Sequence, residues 1–142
     1  MEKASAVHIA SMVMDEPTLC KALVGFLRGP GPFSCRVVVD KSCFAQGRCR
    51  GLLELQRAGA QVRLATGHSG RDVYGPHARG GVMHVKAAVI DADVAYTGSA
   101  NLTKASLTNR ELVLRLQGAG VAPILDVATE AFKSGQMLTN AG

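Results

Sequence analysis

The first 66 residues alternate between two periodicities, and this alternation constrains the fold more than any other feature. "AVHIASMVM" (6–14), "CRVVVD" (35–40) and "QVRLAT" (61–66) are short apolar runs, the last two rich in β-branched or aliphatic residues. They read as buried strands. Between them lie "DEPTLCKALVGFLRG" (15–29) and "RGLLELQRAGA" (50–60). In the first, Asp15 is placed to cap, Pro17 suits the opening turn, and Leu19, Leu23, Phe26 and Leu27 share one helical face. "GPGP" (29–32) stops that helix, and Gly59 ends the second. This β-α-β-α-β order predicts an α/β fold: a mixed, largely parallel sheet flanked by helices.

Three further strands are expected at "VMHVKAAVI" (82–90), "VAYTG" (94–98) and "ELVLRLQ" (111–117), and a last helix at "VAPILDVATEAFKSGQM" (121–137). The long segment "GHSGRDVYGPHARGG" (67–81) carries Arg71 and Arg79 among its glycines. Such a loop serves a site more often than a core. No repeat or second domain is visible. The 142 residues fit one domain, placed at 6–135, with 1–5 and 136–142 as flexible termini. That length buries a core without disulfides or metal. Cys20, Cys35, Cys43 and Cys49 form no C-x-x-C pair, and Cys43 and Cys49 with His68 and His77 match no common zinc spacing. Free thiols in a reducing compartment are expected. No apolar run approaches the ~18 residues of a membrane span, and the N-terminus lacks a signal pattern. The expectation is a soluble, intracellular (cytoplasmic) chain, or one at the mitochondrial surface if an anchor precedes it.

Chemistry concentrates in "HVKAAVID" (84–91) and "GSANLT" (98–103). Residues two apart on a strand share a face, so His84 and Lys86 are expected to point together while Val85, Ala87 and Val89 enter a core. Asp91 falls at the strand's end. Ser99 and Asn101 can share one side of their loop, and Gly98 would let the backbone approach a ligand closely. An imidazole is a nucleophile or proton carrier near neutral pH. A neighbouring ammonium neutralises phosphate oxygens, and Ser and Asn donate to the rest. No carboxylate cluster is available to hold a catalytic metal. The expected site binds an anion, uses a His nucleophile, and takes neither metal nor cofactor.

His84-x-Lys86-x4-Asp91 followed by Gly98-Ser99-x-Asn101 resembles the HKD signature of the phospholipase D superfamily. "NRE" (109–111) resembles that family's downstream segment, and the resemblance covers roughly residues 6 to 135. Two departures stand out. Ala92-Asp93 follows Asp91 where the family often has Gly, expected to cost little in a turn, and "GPGPFS" is extra.

The resemblance implies a metal-independent phosphodiesterase acting through a phosphohistidine. One His attacks phosphorus; a second protonates the leaving oxygen and then activates water. This chain has one motif, and His8, His68 and His77 lack its context. A homodimer with a shared active site is therefore implied, His84 of each protomer meeting across a two-fold axis. His84 would be nucleophile in one protomer and general acid/base in the other. Lys86, Ser99 and Asn101 would bind phosphoryl oxygens, Glu111 would accept a hydrogen bond from His84, and Asp91 and Gly98 would be structural.

The formal net charge of +5 favours anionic partners. With the Gly/Arg-rich loop and no apolar anchor, it favours an endonuclease on a nucleic-acid backbone. Aromatic residues make up only 4%, with no Trp, so recognition by an aromatic stacking platform is not expected. The alternatives are a phospholipase D acting on cardiolipin or a similar lipid, and a non-catalytic module that binds nucleic acid or lipid in the same anion pocket. Arg71, His77, Arg79, Lys104 and Arg110 remain open as substrate contacts or solvated charges.

Overall fold

The computed structural model describes residues 5–45, 49–67 and 82–138. Its parallel centre is β1 (Ala6–Ser11), β2 (Ser34–Asp40) and β3 (Gln61–Ala65), linked through α1 (Pro17–Arg28), the short α2 (Ser42–Ala45) and α3 (Gly51–Arg57). Ala6 pairs with Ser34 and Ser11 with Val39; Arg36 pairs with Gln61 and Asp40 with Ala65. Val37, Val38 and Val39 of β2 are fully buried, as a strand covered on both faces requires.

From the outer edge of β1 the chain forms an antiparallel meander: β4 (Ala87–Ile90), β5 (Val94–Gly98) and β6 (Val113–Gln117), with α4 (Lys104–Thr108) between β5 and β6. A 3₁₀ turn (Gly118–Gly120) leads into α5 (Val121–Ser134), and β7 (Gln136–Met137) closes the other edge against β3. The order is β6-β5-β4-β1-β2-β3-β7. The α/β class and the mixed sheet flanked by helices are as expected. Among the named strands of the described residues, parallel pairing is confined to β1–β2 and β2–β3, where a helix carries the chain back over the sheet; an isolated parallel bridge joins Met14 and Leu102, and β4 returns into β5 through a tight turn. In that turn Asp91 and Ala92 have φ of 53° and 54°, so Ala92 occupies a left-handed position where Gly would be unstrained.

α5 lies across one face of the sheet, against β1 to β5. Ala10, Val38 and Ala65 of the sheet pack against its Ala128 and Phe132. α1 and α3 pack together on the other face, over Ile9, Val37, Val39 and Val62. Among the described residues, neither α1 nor α3 packs extensively on β4, β5 or β6 on that second face. Ala88, Ile90, Tyr96 and Val113, with Leu19 and Phe26 of α1, line an open apolar groove of about 440 Å³. Tyr96 and Val113 are 38% and 49% exposed.

Several expectations need correction. Cys43 and Cys49 are disulfide-bonded, their Cα atoms 5.9 Å apart, because α2 and the turn into α3 bring them together. Cys20 and Cys35 are free, and burial pushes their thiols up to about 11 and about 12. Glu16, not Asp15, caps α1, accepting the Leu19 N–H at 2.7 Å; Asp15 instead accepts the Lys104 N–H at 3.1 Å. The expected flexible C-terminus begins too early: Gln136 and Met137 pair with Leu64 and Arg63, and Leu138 is buried. The fourth strand is shorter than expected, starting at Ala87 rather than Val82. Residues 68–81, with His68, Arg71, His77 and Arg79, lie outside the described residues.

Candidate active site

β4 runs antiparallel to β1, so its first residue, Ala87, sits beside Ala10 near the carboxyl end of β1. The candidate residues gather at this end of the sheet. His84 and Lys86 lie just before the strand, not on it. β4 begins at Ala87, opposite Ala10 and Thr97, and both neighbours run only one residue further: β1 to Ser11, and β5 to Gly98. The Lys86 carbonyl instead accepts the Thr97 hydroxyl at 2.7 Å.

Asp40 supplies the missing support. This carboxylate, 3% exposed at the end of β2, accepts the Met83 N–H at 2.7 Å and the Ser42 N–H at 3.0 Å, and also binds the Ser42 hydroxyl. A charged acceptor satisfied by several donors is a strong local tie. It fixes Met83, which is itself buried, and hence the backbone entering His84. Sequence reasoning read Asp40 only as the end of a strand; an acid closing a valine run was the available signal.

His84 is exposed and Lys86 half-buried. The Lys86 Nζ lies 3.0 Å from Nδ1 and 3.1 Å from Nε2 of His84, and donates to the His84 carbonyl at 3.0 Å. The two side chains meet as expected, although no strand pleat aligns them. Burial lowers the Lys86 pKa, and the charge of Glu111 opposes that shift.

Ser99 and Glu111 are joined across the β5–β6 pair. The Ser99 hydroxyl donates to Glu111 Oε2 and accepts the Leu112 N–H at 3.0 Å; the Ser99 N–H donates to the Leu112 carbonyl at 2.9 Å. Asn109 Nδ2 donates to Glu111 Oε1 at 3.3 Å. The expected Glu111–His84 hydrogen bond is not among those formed by the described residues; Glu111 engages Ser99 and Asn109 instead. Gly98 serves a different close approach from the one expected. A Cβ there would lie 2.0 Å from the Leu112 carbonyl oxygen, so the glycine admits strand β6 rather than a ligand.

Asn101 is reached through β1. Ser11, buried at the end of that strand, donates to the Val13 carbonyl at 2.7 Å and lies 3.4 Å from Asn101 Oδ1. The Leu102 N–H donates to the same hydroxyl at 3.3 Å. Ser11 is a second positioning residue that sequence reasoning passed over, seeing it only as a break in an apolar run. Asp91 lies at the far end of β4. Its Oδ1 accepts the Ser5 and Ala6 N–H groups at 2.8 Å each and the Ser5 hydroxyl at 2.9 Å, and these bonds hold its carboxyl below the usual carboxylate range. It braces the start of β1. Lys104 and Arg110 are exposed near the loop.

The arrangement offers an accessible imidazole, an ammonium in contact with it, and hydroxyl and amide groups on the adjoining loop. Such a set has the chemistry to bind a tetrahedral anion and to attack it. Among the described residues no group of three or more His, Cys, Asp or Glu side chains could hold a metal ion, and no helix is long and apolar enough to cross a membrane.

Comparison with known proteins bears on the family and the fold. Residues 2–134 match the family model described as "Cardiolipin synthase, PLD-like domain". No curated protein shows a significant match. Among solved structures, the chain is similar to a phospholipase D family member, Nuc from Salmonella typhimurium, with a TM-score of 0.75 and 18% identity, covering 98% of this chain and 85% of that one. It is also similar to NucT from Helicobacter pylori, with a TM-score of 0.79 and 19% identity over 94% of this chain and 82% of that one.

Proposed function

This chain belongs to the phospholipase D superfamily, and we propose that it is a metal-independent phosphodiesterase that cleaves a nucleic-acid backbone through a phosphohistidine. The observation that carries the reading is the contact of Lys86 Nζ with the exposed His84 ring, beside the Ser99–Glu111 pair. A ring nitrogen of His84 attacks phosphorus and expels one alcohol. Lys86, Ser99 and Asn101 hold the phosphoryl oxygens as charge builds on them. Glu111 orients Ser99 and offsets the cost of burying Lys86.

The leaving oxygen needs a proton, and the following water needs a base. His84 of a second copy supplies both in a two-fold dimer. The uncovered apolar groove at β4–β6 supports this partner, because it adjoins Lys86: Ala88, Tyr96, Leu102 and Val113 line both that groove and the small cavity holding Lys86.

A lipid diester is the second reading. It is favoured by Leu107 and Leu112, 74% and 69% exposed on either side of the Asn109–Glu111 segment, where acyl chains would lie.

The test is product formation in EDTA from single-stranded nucleic acid and from cardiolipin vesicles, with wild type and His84→Ala in parallel. Nucleic-acid products lost with His84→Ala support the proposal. Lipid products alone transfer the assignment to the second reading. Binding without product from either makes the chain a binding module.

A further inference from the structure

A second cavity, of about 290 Å³, opens beside His84 on the face covered by α5. That is close to the lower bound of small-ligand pockets, about 300 Å³. Thr66 and Gly67 form its wall beyond β3, Met83 and His84 its floor, and Glu130 and Ser134 of α5 its far side. Glu130 and Ser134 are four residues apart, so they present neighbouring groups on one helical face.

Glu130 is the informative residue. Its side chain is exposed to solvent, with no hydrogen-bond or ion-pair partner among the described residues, and it lines the same open cavity as the candidate nucleophile. A carboxylate so close to a phosphate-binding site repels phosphate itself. The occupant suited to this pocket is therefore the group attached to the phosphate, and it should offer N–H donors to the carboxylate. The hydroxyls of Thr66 and Ser134 can donate or accept and so adapt to its remaining polar atoms. Met83 and Val127 supply apolar walls for a ring.

We propose that this cavity is a base-reading subsite for the nucleotide next to the cleaved phosphate, and that Glu130 selects bases bearing an exocyclic amino group. The inference rests on the nuclease reading above. A carboxylate accepts from the N4 amino group of cytosine, whereas the corresponding position of thymine presents a carbonyl oxygen. Glu130 therefore attracts the first base and repels the second.

The experiment uses single-stranded oligonucleotides of dT carrying one dC, with cleavage mapped at each step for wild type, Glu130→Gln and Glu130→Ala. Bis(p-nitrophenyl) phosphate, which has no base to read, supplies the reference rate for each protein. Wild type should cut beside dC about tenfold faster than within dT, the size of one good base contact. Glu130→Ala should bring that ratio toward one. Glu130→Gln should do so less completely, because its amide still offers an acceptor while adding donors that suit thymine. No dC preference in wild type overturns the proposal, as does a preference that survives Glu130→Ala. If Glu130→Ala lowers the reference rate as much as the dC rate and keeps their ratio, Glu130 supports His84 instead and the subsite is refuted. Turnover of the aryl diester with no cleavage of any oligonucleotide defeats the nuclease reading, and this inference falls with it.

Discussion

Asp40 Oδ1 accepts the main-chain N–H of Met83 at 2.7 Å, tying the buried last residue of parallel strand β2 to the residue just before His84. Through this bond the rigid centre of the sheet sets the height of the candidate nucleophile, which has no strand partners of its own.

Removing the tie should therefore cost both stability and turnover. Asp40→Ala leaves the Met83 and Ser42 N–H groups without their acceptor, a loss of about 1–3 kcal/mol in urea unfolding. Turnover should fall more than substrate affinity, because the loop at Ser99, the proposed anion-binding element, is held separately. Asp40→Asn keeps the acceptor for Met83 and should lie between. Wild-type turnover in Asp40→Ala would remove Asp40 from the account of the site.

Gly98→Ala should be among the most damaging single changes. The new methyl would meet the Leu112 carbonyl oxygen at 2.0 Å, and that oxygen is backbone that cannot swing aside. β6 must move away, taking Leu112 and Glu111 from Ser99. The expected loss is about 2 kcal/mol or more, the range of overpacking without room to relax. Thermal unfolding measures it, and a variant as stable as wild type would contradict the β5–β6 geometry.

His8 should make stability fall in mild acid. It is buried against Phe132, and burial, with a smaller effect from the Arg36 charge, lowers its pKa below 6.5. The unfolded chain then takes up a proton at a higher pH than the fold does. The stability from a neutral His8 is present above pH 6.5 and is lost as pH falls from there through the folded pKa. His8→Leu should flatten this part of the stability-against-pH curve. It should cost little at higher pH, since Nε2 has no hydrogen-bond partner to lose. Identical slopes in the two proteins would refute the assignment.

The Cys43–Cys49 disulfide follows the Asp40–Ser42 tie directly and closes a short loop. Its reduction should lower stability by about 2 kcal/mol, the chain-entropy value for so small a ring. Denaturant unfolding with and without dithiothreitol measures this. The double variant Cys43→Ser/Cys49→Ser should start at the lower value and not respond to reductant. A wild type indifferent to reductant would show that the bridge contributes nothing to the fold.

The readability of this protein divides along physical lines. Strand identities in the first 66 residues were legible because β2 and β3 are nearly continuous apolar runs and α1 has a clear buried face. The candidate site residues stood out as a set because their chemical types are unusual together. Their positioning was not. The alternation in "HVKAAVI" matches a strand, but pairing also needs neighbours, and β1 and β5 end level with Lys86, leaving none beside His84. Asp40, Ser11 and Glu130 come from elements far away in sequence, and only the packed sheet brings them to His84 and Asn101. The disulfide escaped because a six-residue spacing says nothing about how α2 and α3 turn toward each other. The cost of Ala92 was underestimated because its left-handed φ of 54° is a property of the turn, not of the residue.

The central claim is that catalysis needs His84 from two copies of the chain. The most direct measurement co-refolds wild type with His84→Ala at constant total protein and follows phosphodiester cleavage in EDTA. With equal amounts and random pairing, about a quarter of the dimers contain two intact histidines. The account predicts that activity falls to about that fraction of the undiluted wild type. Activity that falls only in proportion to the wild-type share, to about half, would show that each chain works alone and would contradict the shared site.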